Sequence, residues 1–312
     1  KLGVDIYIGS GWFTGRDSIQ VEGPAGNRTL SFVKAAICTG ARASAPPIAG
    51  LQEAGYLTNE TVFSLTKLPL RLGVIGAGPI GCELAQSFAR FGSQVNLIEA
   101  QHGIMPNEDR DAAQIVEQQM AKEGVHLLCC GKDLKVSKVD GGKRLTVDSH
   151  GRQYDVEVDE ILVGVGRTPN VEGLGLEAIG VEFDKNGVKV NARLQTSNPR
   201  IFAAGDVCSR YKFTHAADAM AQIVIQNALF PHPFGLGYAS VDSLIMPWCT
   251  FTEPEVAHVG MYEKDAKENG LEVETYTYKL DEVDRAILDG EDEGFARIHI
   301  QKGTDKIIGA TI

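Results

Sequence analysis

No run of 18 or more apolar residues occurs in this 312-residue chain, and no basic stretch leads into a short apolar one. The first absence excludes a membrane-spanning helix and the second a secretory signal among these residues, so a soluble, cytoplasmic protein without membrane contact is expected. Positive charge is also scarce: 30 Lys and Arg stand against 41 Asp and Glu, a formal net charge of −11. Affinity for nucleic acid comes mainly from clustered cations, so no nucleic-acid partner is expected. Six cysteines (Cys38, Cys82, Cys129, Cys130, Cys208, Cys249) show no C-x-x-C spacing. That fits neither a secreted disulfide framework nor a zinc site, and no metal ligand is expected. The adjacent pair Cys129-Cys130 closes the apolar run Val125-His126-Leu127-Leu128 and reads as buried strand residues, since a free thiol behaves as a small apolar side chain. No internal repeat of about 20 to 50 residues is visible.

What is present is globular: 43% hydrophobic and 23% charged residues, enough chain for two or three domains of roughly 100 to 150 residues each. The first 68 residues read as strands and turns, with residues 4–9 and 31–38 alternating or running apolar and ending in glycine or Thr-Gly turns. A short helix cap is expected at Thr58-Asn59-Glu60. No crossover helix is legible before it, so this segment is not a complete doubly wound domain.

From Arg71 the pattern becomes strand, glycine turn, helix, strand. Leu72-Gly73-Val74-Ile75 is a short buried strand, and Ile80, Leu84, Phe88 and Phe91 fall at helical spacing. Residues 94–99 form the next strand, and 109–123 a second helix stopped by Gly124. Between 125 and 165 strands dominate, with a hairpin tip at Asp140-Gly141-Gly142. A strand enters a glycine turn at Ala203-Ala204-Gly205-Asp206, and a helix over 216–229 ends before Pro231. Beyond Val241, strands at 275–279, 295–300 and 307–308 alternate with a helix at 263–269, an α+β pattern.

The chemistry lies in Gly76-Ala77-Gly78-Pro79-Ile80-Gly81, a G-x-G-x-x-G between strand and helix. Context makes this a dinucleotide fingerprint. Gly76 permits the tight turn, Gly78 lets backbone approach a pyrophosphate, and Gly81 lets the helix pack on the sheet. The helix N-terminus offers free N–H groups and a positive dipole to the phosphates. Glu99 ends the following strand 18 residues beyond Gly81. A carboxylate there accepts hydrogen bonds from the ribose hydroxyls and repels a 2′-phosphate, so NAD is expected over NADP.

Four signatures in this order, Ile37-Cys38-Thr39-Gly40-Ala41-Arg42, residues 76–81, Gly164-Val165-Gly166-Arg167-Thr168-Pro169-Asn170 and Ala203-Ala204-Gly205-Asp206-Val207, resemble the pyridine nucleotide-disulfide oxidoreductases. Their wording is closest to mercuric-reductase-like members, with dihydrolipoamide dehydrogenases next. The resemblance covers essentially the whole chain and implies an α/β fold of Rossmann-like FAD- and NAD(P)-binding domains followed by the start of an α+β dimerisation domain. It divides the chain into part of an FAD domain (1–68), an NAD(P) domain (69–168), a second FAD segment (169–240) and a partial dimerisation domain (241–312).

The resemblance also implies a flavoenzyme in which NAD(P)H reduces FAD, and FAD a redox disulfide serving a small-molecule, metal-ion or disulfide substrate in a homodimer. By position, Cys38, Thr39, Gly40 and Arg167 line the FAD site, with Gly11 beside the adenine. Asp206 hydrogen-bonds the ribityl chain from the glycine turn at Gly205, a further cofactor-binding position, and Phe213, Thr214, His215 and Ala216 begin a helix aimed at the flavin pyrimidine. Glu83 matches a glutamate that pairs with a lysine beside the flavin N5, and is the candidate catalytic residue. Gly166 and Leu134 match positions near the nicotinamide nucleotide.

The chain departs from the family pattern in lacking a first G-x-G-x-x-G, a C-x4-C and the lysine that would partner Glu83. An internal fragment of a longer enzyme is therefore expected. A nucleotide-binding module without catalysis, and a dithiol-independent flavoprotein reductase, remain alternatives.

Overall fold

The computed structural model describes residues 3–312. They divide into two compact units, one combining residues up to 42 with 167–244, the other combining 43–166 with 245–312.

The second unit is organised on a four-stranded parallel sheet in the order Glu160–Val163, Arg71–Ile75, Gln94–Ile98, Val125–Leu128. Leu72 pairs with Val95, and Val95 with Val125, so apolar residues run in rows across the strands. Both faces are covered, which is why these strands read as continuous hydrophobic runs. On one face Leu72, Val74, Leu97 and Leu162 pack with Cys82 and Ala85 of the helix Pro79–Arg90 and with Val116 and Met120 of the helix Arg110–Lys122. On the other, Ile75, Ile98, Ile161 and Val163 meet Leu145 and Val158. Those two belong to an antiparallel sheet of strands Lys132–Val139, Gly142–Ser149 and Arg152–Val158. The contact is close enough that a Cβ on Gly73 would lie 2.5 Å from Leu145 Cδ1.

The strand–helix–strand boundaries fall within a residue or two of the sequence reading, and the Asp140-Gly141 hairpin tip forms where expected. The helix Arg110–Lys122 stops before Gly124, which takes φ +91°. A five-stranded antiparallel sheet, in the order Pro247–Thr250, Val256–Gly260, Ile307–Thr311, Phe295–Gln301, Val273–Lys279, completes this unit.

In the first unit the strands Ser10–Gly15, Ser18–Gly23 and Gly26–Ser31 form an antiparallel meander. The strand Ala35–Ile37 pairs in parallel with Ile201–Ala203. Phe13, Ile37, Leu176, Ile201 and Val207 make one core, and in another Met220, Ile223 and Val224 of the helix Thr214–Leu229 pack with Leu194 and Phe202.

Several local expectations are corrected. Residues 4–8 form no strand: Val4, Ile6 and Ile8 are exposed, and pairing begins at Ser10, where Phe13 supplies the buried side chain. The expected strand over 31–38 is two strands broken at residues 32–34, with Val33 82% exposed. Thr58-Asn59-Glu60 form a turn rather than a helix cap; the Thr58 amide is capped by Thr61 Oγ1 at 2.9 Å, and a short 3-10 turn follows at Val62–Ser64. No helix is long and apolar enough to cross a membrane among the described residues.

Candidate functional site

In an open parallel sheet, ligands bind beyond the carboxyl ends of the strands, at the point where strand order reverses. Here that point lies beyond Arg71–Ile75, which has Gln94–Ile98 on one side and Glu160–Val163 on the other. Three candidate segments leave those three strand ends: Gly76 onward, Glu99, and Gly164 to Gly166. They border one cavity of about 620 Å³, together with Pro79, Ile80 and Leu134. That volume suits a cofactor-sized ligand.

The three glycines of the turn do different work. Gly76 has φ +98°, and a Cβ there would stand 2.7 Å from the Gly164 carbonyl oxygen, so both its conformation and its surroundings require glycine. A Cβ on Gly81 would lie 1.9 Å from the Gly76 oxygen, which measures how tightly the helix is seated. Gly78 is the opposite case. Nothing lies within 4 Å of the position its Cβ would take, so the missing side chain opens space toward the cavity that a ligand can fill. Gly78 is also the N-cap of the helix, and no side chain caps that end. The first-turn amides, Ile80 and Gly81 foremost, have no intrahelical carbonyl to bond and are left for an anion.

Glu99 is half-buried at the rim. Its Oε2 accepts from the Ala77 amide and its Oε1 from the Gln101 amide, each at 2.8 Å. The carboxylate thus ties the glycine turn to the loop after its own strand and brings a negative charge to the cavity. Glu83, one turn into the helix, accepts a 2.9 Å hydrogen bond from the Phe251 amide.

The other unit gathers the remaining signatures. Thr39 Oγ1 donates to the Asn170 carbonyl at 2.7 Å, and the Asn170 amide donates to Gly40 O at 3.0 Å. The Ala204 amide donates to Ile37 O. Segments distant in sequence therefore meet at the ends of two parallel strands. Arg167 spans them: Nη2 donates to Ala41 O at 2.7 Å, and Nε lies 3.1 Å from Asp206 Oδ2. Asp206 sits in a 3-10 turn begun by Gly205 at φ +79°. Phe213 is the N-cap of the helix Thr214–Leu229, again without a side-chain cap, and its ring stacks on His215 at 5.4 Å. Ala216 is buried in the first turn. Gly11 lies in the meander opposite Val21.

The thiols with a displaced pKa are shifted away from activation. Burial pushes Cys82 and Cys208 up to about 12, and raises Cys38 and Cys249. A nucleophilic cysteine needs the reverse shift. Cys129 and Cys130 correct the sequence reading: they follow the strand Val125–Leu128 rather than closing it, and are half-buried. They meet His102 and His150, a grouping of four potential ligands from three loops that no motif spacing announces.

A Rossmann-type nucleotide pocket and a second cluster of backbone-bonded signatures define the class of protein, and sequence comparison agrees. Residues 2–221 match the pyridine nucleotide-disulphide oxidoreductase family, and residues 246–312 its dimerisation domain. The chain belongs to this family. It is 35% identical to a mercuric reductase of Staphylococcus aureus over all of its length and 56% of the relative's. A dihydrolipoyl dehydrogenase of Staphylococcus aureus is 31% identical over 99% of this chain and 65% of its own. The HOCl-induced flavoprotein disulfide reductase RclA from Escherichia coli superposes with a TM-score of 0.86 at 29% identity, covering 99% of this chain and 69% of that one. The chain spans about half the length of the mercuric reductases it matches.

Proposed function

We propose that this chain carries the nicotinamide-nucleotide site and part of the flavin site of a cytoplasmic, homodimeric flavoenzyme that reduces a disulfide or mercuric ion with NADH. The observation that carries this reading is the cavity opened by Gly78 at an uncapped helix N-terminus, with Glu99 at its rim.

In this reading the amides of Ile80 and Gly81 hold the pyrophosphate, and the space at Gly78 admits it. Glu99 accepts from the adenosine ribose hydroxyls, and its charge disfavours a 2′-phosphate, which selects NADH over NADPH. Gly166 and Leu134 border the nicotinamide half. FAD, when bound, supplies the two-electron relay between a nicotinamide hydride and a disulfide. Toward it, Asp206, held by Arg167, presents a carboxylate for hydroxyl groups, and Thr39, Gly40 and Gly205 offer compact backbone beside it. The helix from Thr214, with Phe213 and His215 at its start, directs its positive end at electron-rich ring atoms. Glu83 enters on the family resemblance as partner to a lysine, and Cys38 and Gly11 as further lining.

A second reading, nucleotide binding without catalysis by this chain, is favoured by its thiols. None of those with a displaced pKa is lowered, and no two of the six cysteines have C-x4-C spacing. Gel filtration after incubation with FAD, followed by NADH oxidation with an artificial acceptor, separates the two. A yellow chain that turns over NADH supports the flavoenzyme; NADH binding without flavin retention supports the module; failure to bind NADH contradicts both.

A further inference from the structure

We propose that His102, Cys129, Cys130 and His150 form a binding site for one thiophilic d10 cation of the Zn²⁺ type. The site lies outside every role assigned above and rests on none of them.

Each residue offers one ligand atom, and the four atoms all lie within 4.8 Å of one another. Cys129 Sγ is 3.2 Å from His150 Nε2, and Cys130 Sγ is 3.7 Å from His102 Nδ1. Around Zn²⁺, at about 2.3 Å to sulfur and about 2.0 Å to nitrogen, tetrahedral ligand atoms stand about 3.3 to 3.8 Å apart. Two edges of the tetrahedron are thus already near length, and the others need to close by no more than about 1.5 Å. Two thiolates and two imidazoles are the donor set that four-coordinate zinc takes in structural sites, and soft sulfur disfavours Mg²⁺ and Ca²⁺.

The backbone is shaped for this convergence. Consecutive side chains of an extended strand point to opposite sides. Cys130 takes φ +53°, which breaks the alternation and lets both sulfurs face the same point. His150 and Gly151 are the two central residues of the hairpin closed by the pair Ser149 and Arg152, with φ +54° and +76°. Such a turn favours Asn or Gly at its first central position, and here it holds an imidazole instead. The three loops are fastened together: the Cys130 amide donates to Gln101 O at 2.9 Å, and Ser149 Oγ to Cys129 O at 2.6 Å. The two imidazole rings stand edge to face with centroids 6.2 Å apart. His102 and His150 are exposed, so a cation reaches the site without any opening of the core.

The test uses the full chain, reduced and metal-free, titrated with Co²⁺ and then Zn²⁺. The expected result is one Co²⁺ per chain, with the visible bands of four-coordinate cobalt and a thiolate-to-metal charge-transfer band, both lost on adding Zn²⁺. In Cys129→Ser/Cys130→Ser affinity should fall by more than about a hundredfold, beyond what loss of an outer-shell partner costs. His102→Ala/His150→Ala should fall by at least about tenfold, and Cys249→Ser should bind as the parent does. If the serine variant does not fold, alkylation of the parent decides: Zn²⁺ should protect Cys129 and Cys130, and leave the alkylation rate of Cys249 unchanged. A six-coordinate spectrum without charge transfer, equal binding by the serine variant, or alkylation of Cys129 and Cys130 unaffected by Zn²⁺ would overturn the proposal.

Discussion

The nucleotide cavity and the cluster around Asp206 are built in different ways. The cavity's principal residues leave three neighbouring strands of one parallel sheet, and it depends on atoms that are absent: the Cβ of Gly76 and Gly78 at its lining, and that of Gly81, whose absence seats the helix. The Asp206 cluster draws on segments more than 120 residues apart and is held by contacts that are present, such as Arg167 to Asp206 and Thr39 to Asn170. A site made by omission is broken by adding atoms. A site made by contacts is broken by removing them.

The largest expected effects follow from that contrast within the glycine turn. Gly81→Val drives a side chain into the Gly76 carbonyl and should destabilise its unit by more than about 3 kcal/mol, beyond ordinary overpacking, as read by thermal unfolding. Gly78→Val meets open space, so stability should change by less than about 1 kcal/mol. Its NADH affinity should nevertheless fall by about a hundredfold, because the added methyls occupy the ligand's path. Equal melting temperatures for the two variants would erase the distinction. For the contact-built site, Asp206→Ala should weaken FAD binding by about ten- to a hundredfold, the worth of a hydrogen bond to a charged group, and leave NADH binding unchanged. Simultaneous loss of both nucleotides in flow dialysis would show that Asp206 only supports the fold. Glu99→Arg should move the NADH-to-NADPH affinity ratio by at least about tenfold toward NADPH; an unchanged ratio would mean that Glu99 does not read the ribose.

The smallest effect is electrostatic. His258 and His299, each 2% exposed, have pKa values lowered by burial. His299 Nε2 has no hydrogen-bond partner among the described residues. The unfolded chain therefore takes up protons below about pH 6.5 that the folded sheet refuses. Stability is full above that pH and lost as pH falls toward the lowered values. The melting temperature at pH 5.5 should lie roughly 2 to 4 °C below that at pH 7.5, and replacing both histidines with Gln should flatten that segment of the profile.

The sequence exposed most of the parallel-sheet unit because there local pattern and tertiary burial agree. Strands buried on both faces read as apolar runs, and Gly76 to Gly81 carries its constraint in consecutive letters. Residues 4–8 misled because alternation signals a face to be buried, whereas Ile6 is 81% exposed among the described residues. The His102, Cys129, Cys130 and His150 cluster was illegible for another reason. Its members come from a post-strand loop, a left-handed turn and a hairpin tip, and only folding sets their spacing. The joining of Thr39, Arg167 and Asp206 was legible only through family resemblance, since nothing local in the chain pairs those segments.

The most direct measurement is the binding of NADH and NADPH to the purified chain by isothermal titration calorimetry. NADH should bind one per chain and at least about tenfold more tightly than NADPH, with that preference abolished in Glu99→Arg. Absence of NADH binding, or NADPH binding as tightly as NADH in the parent chain, would contradict the assignment of the Gly76 to Gly81 cavity.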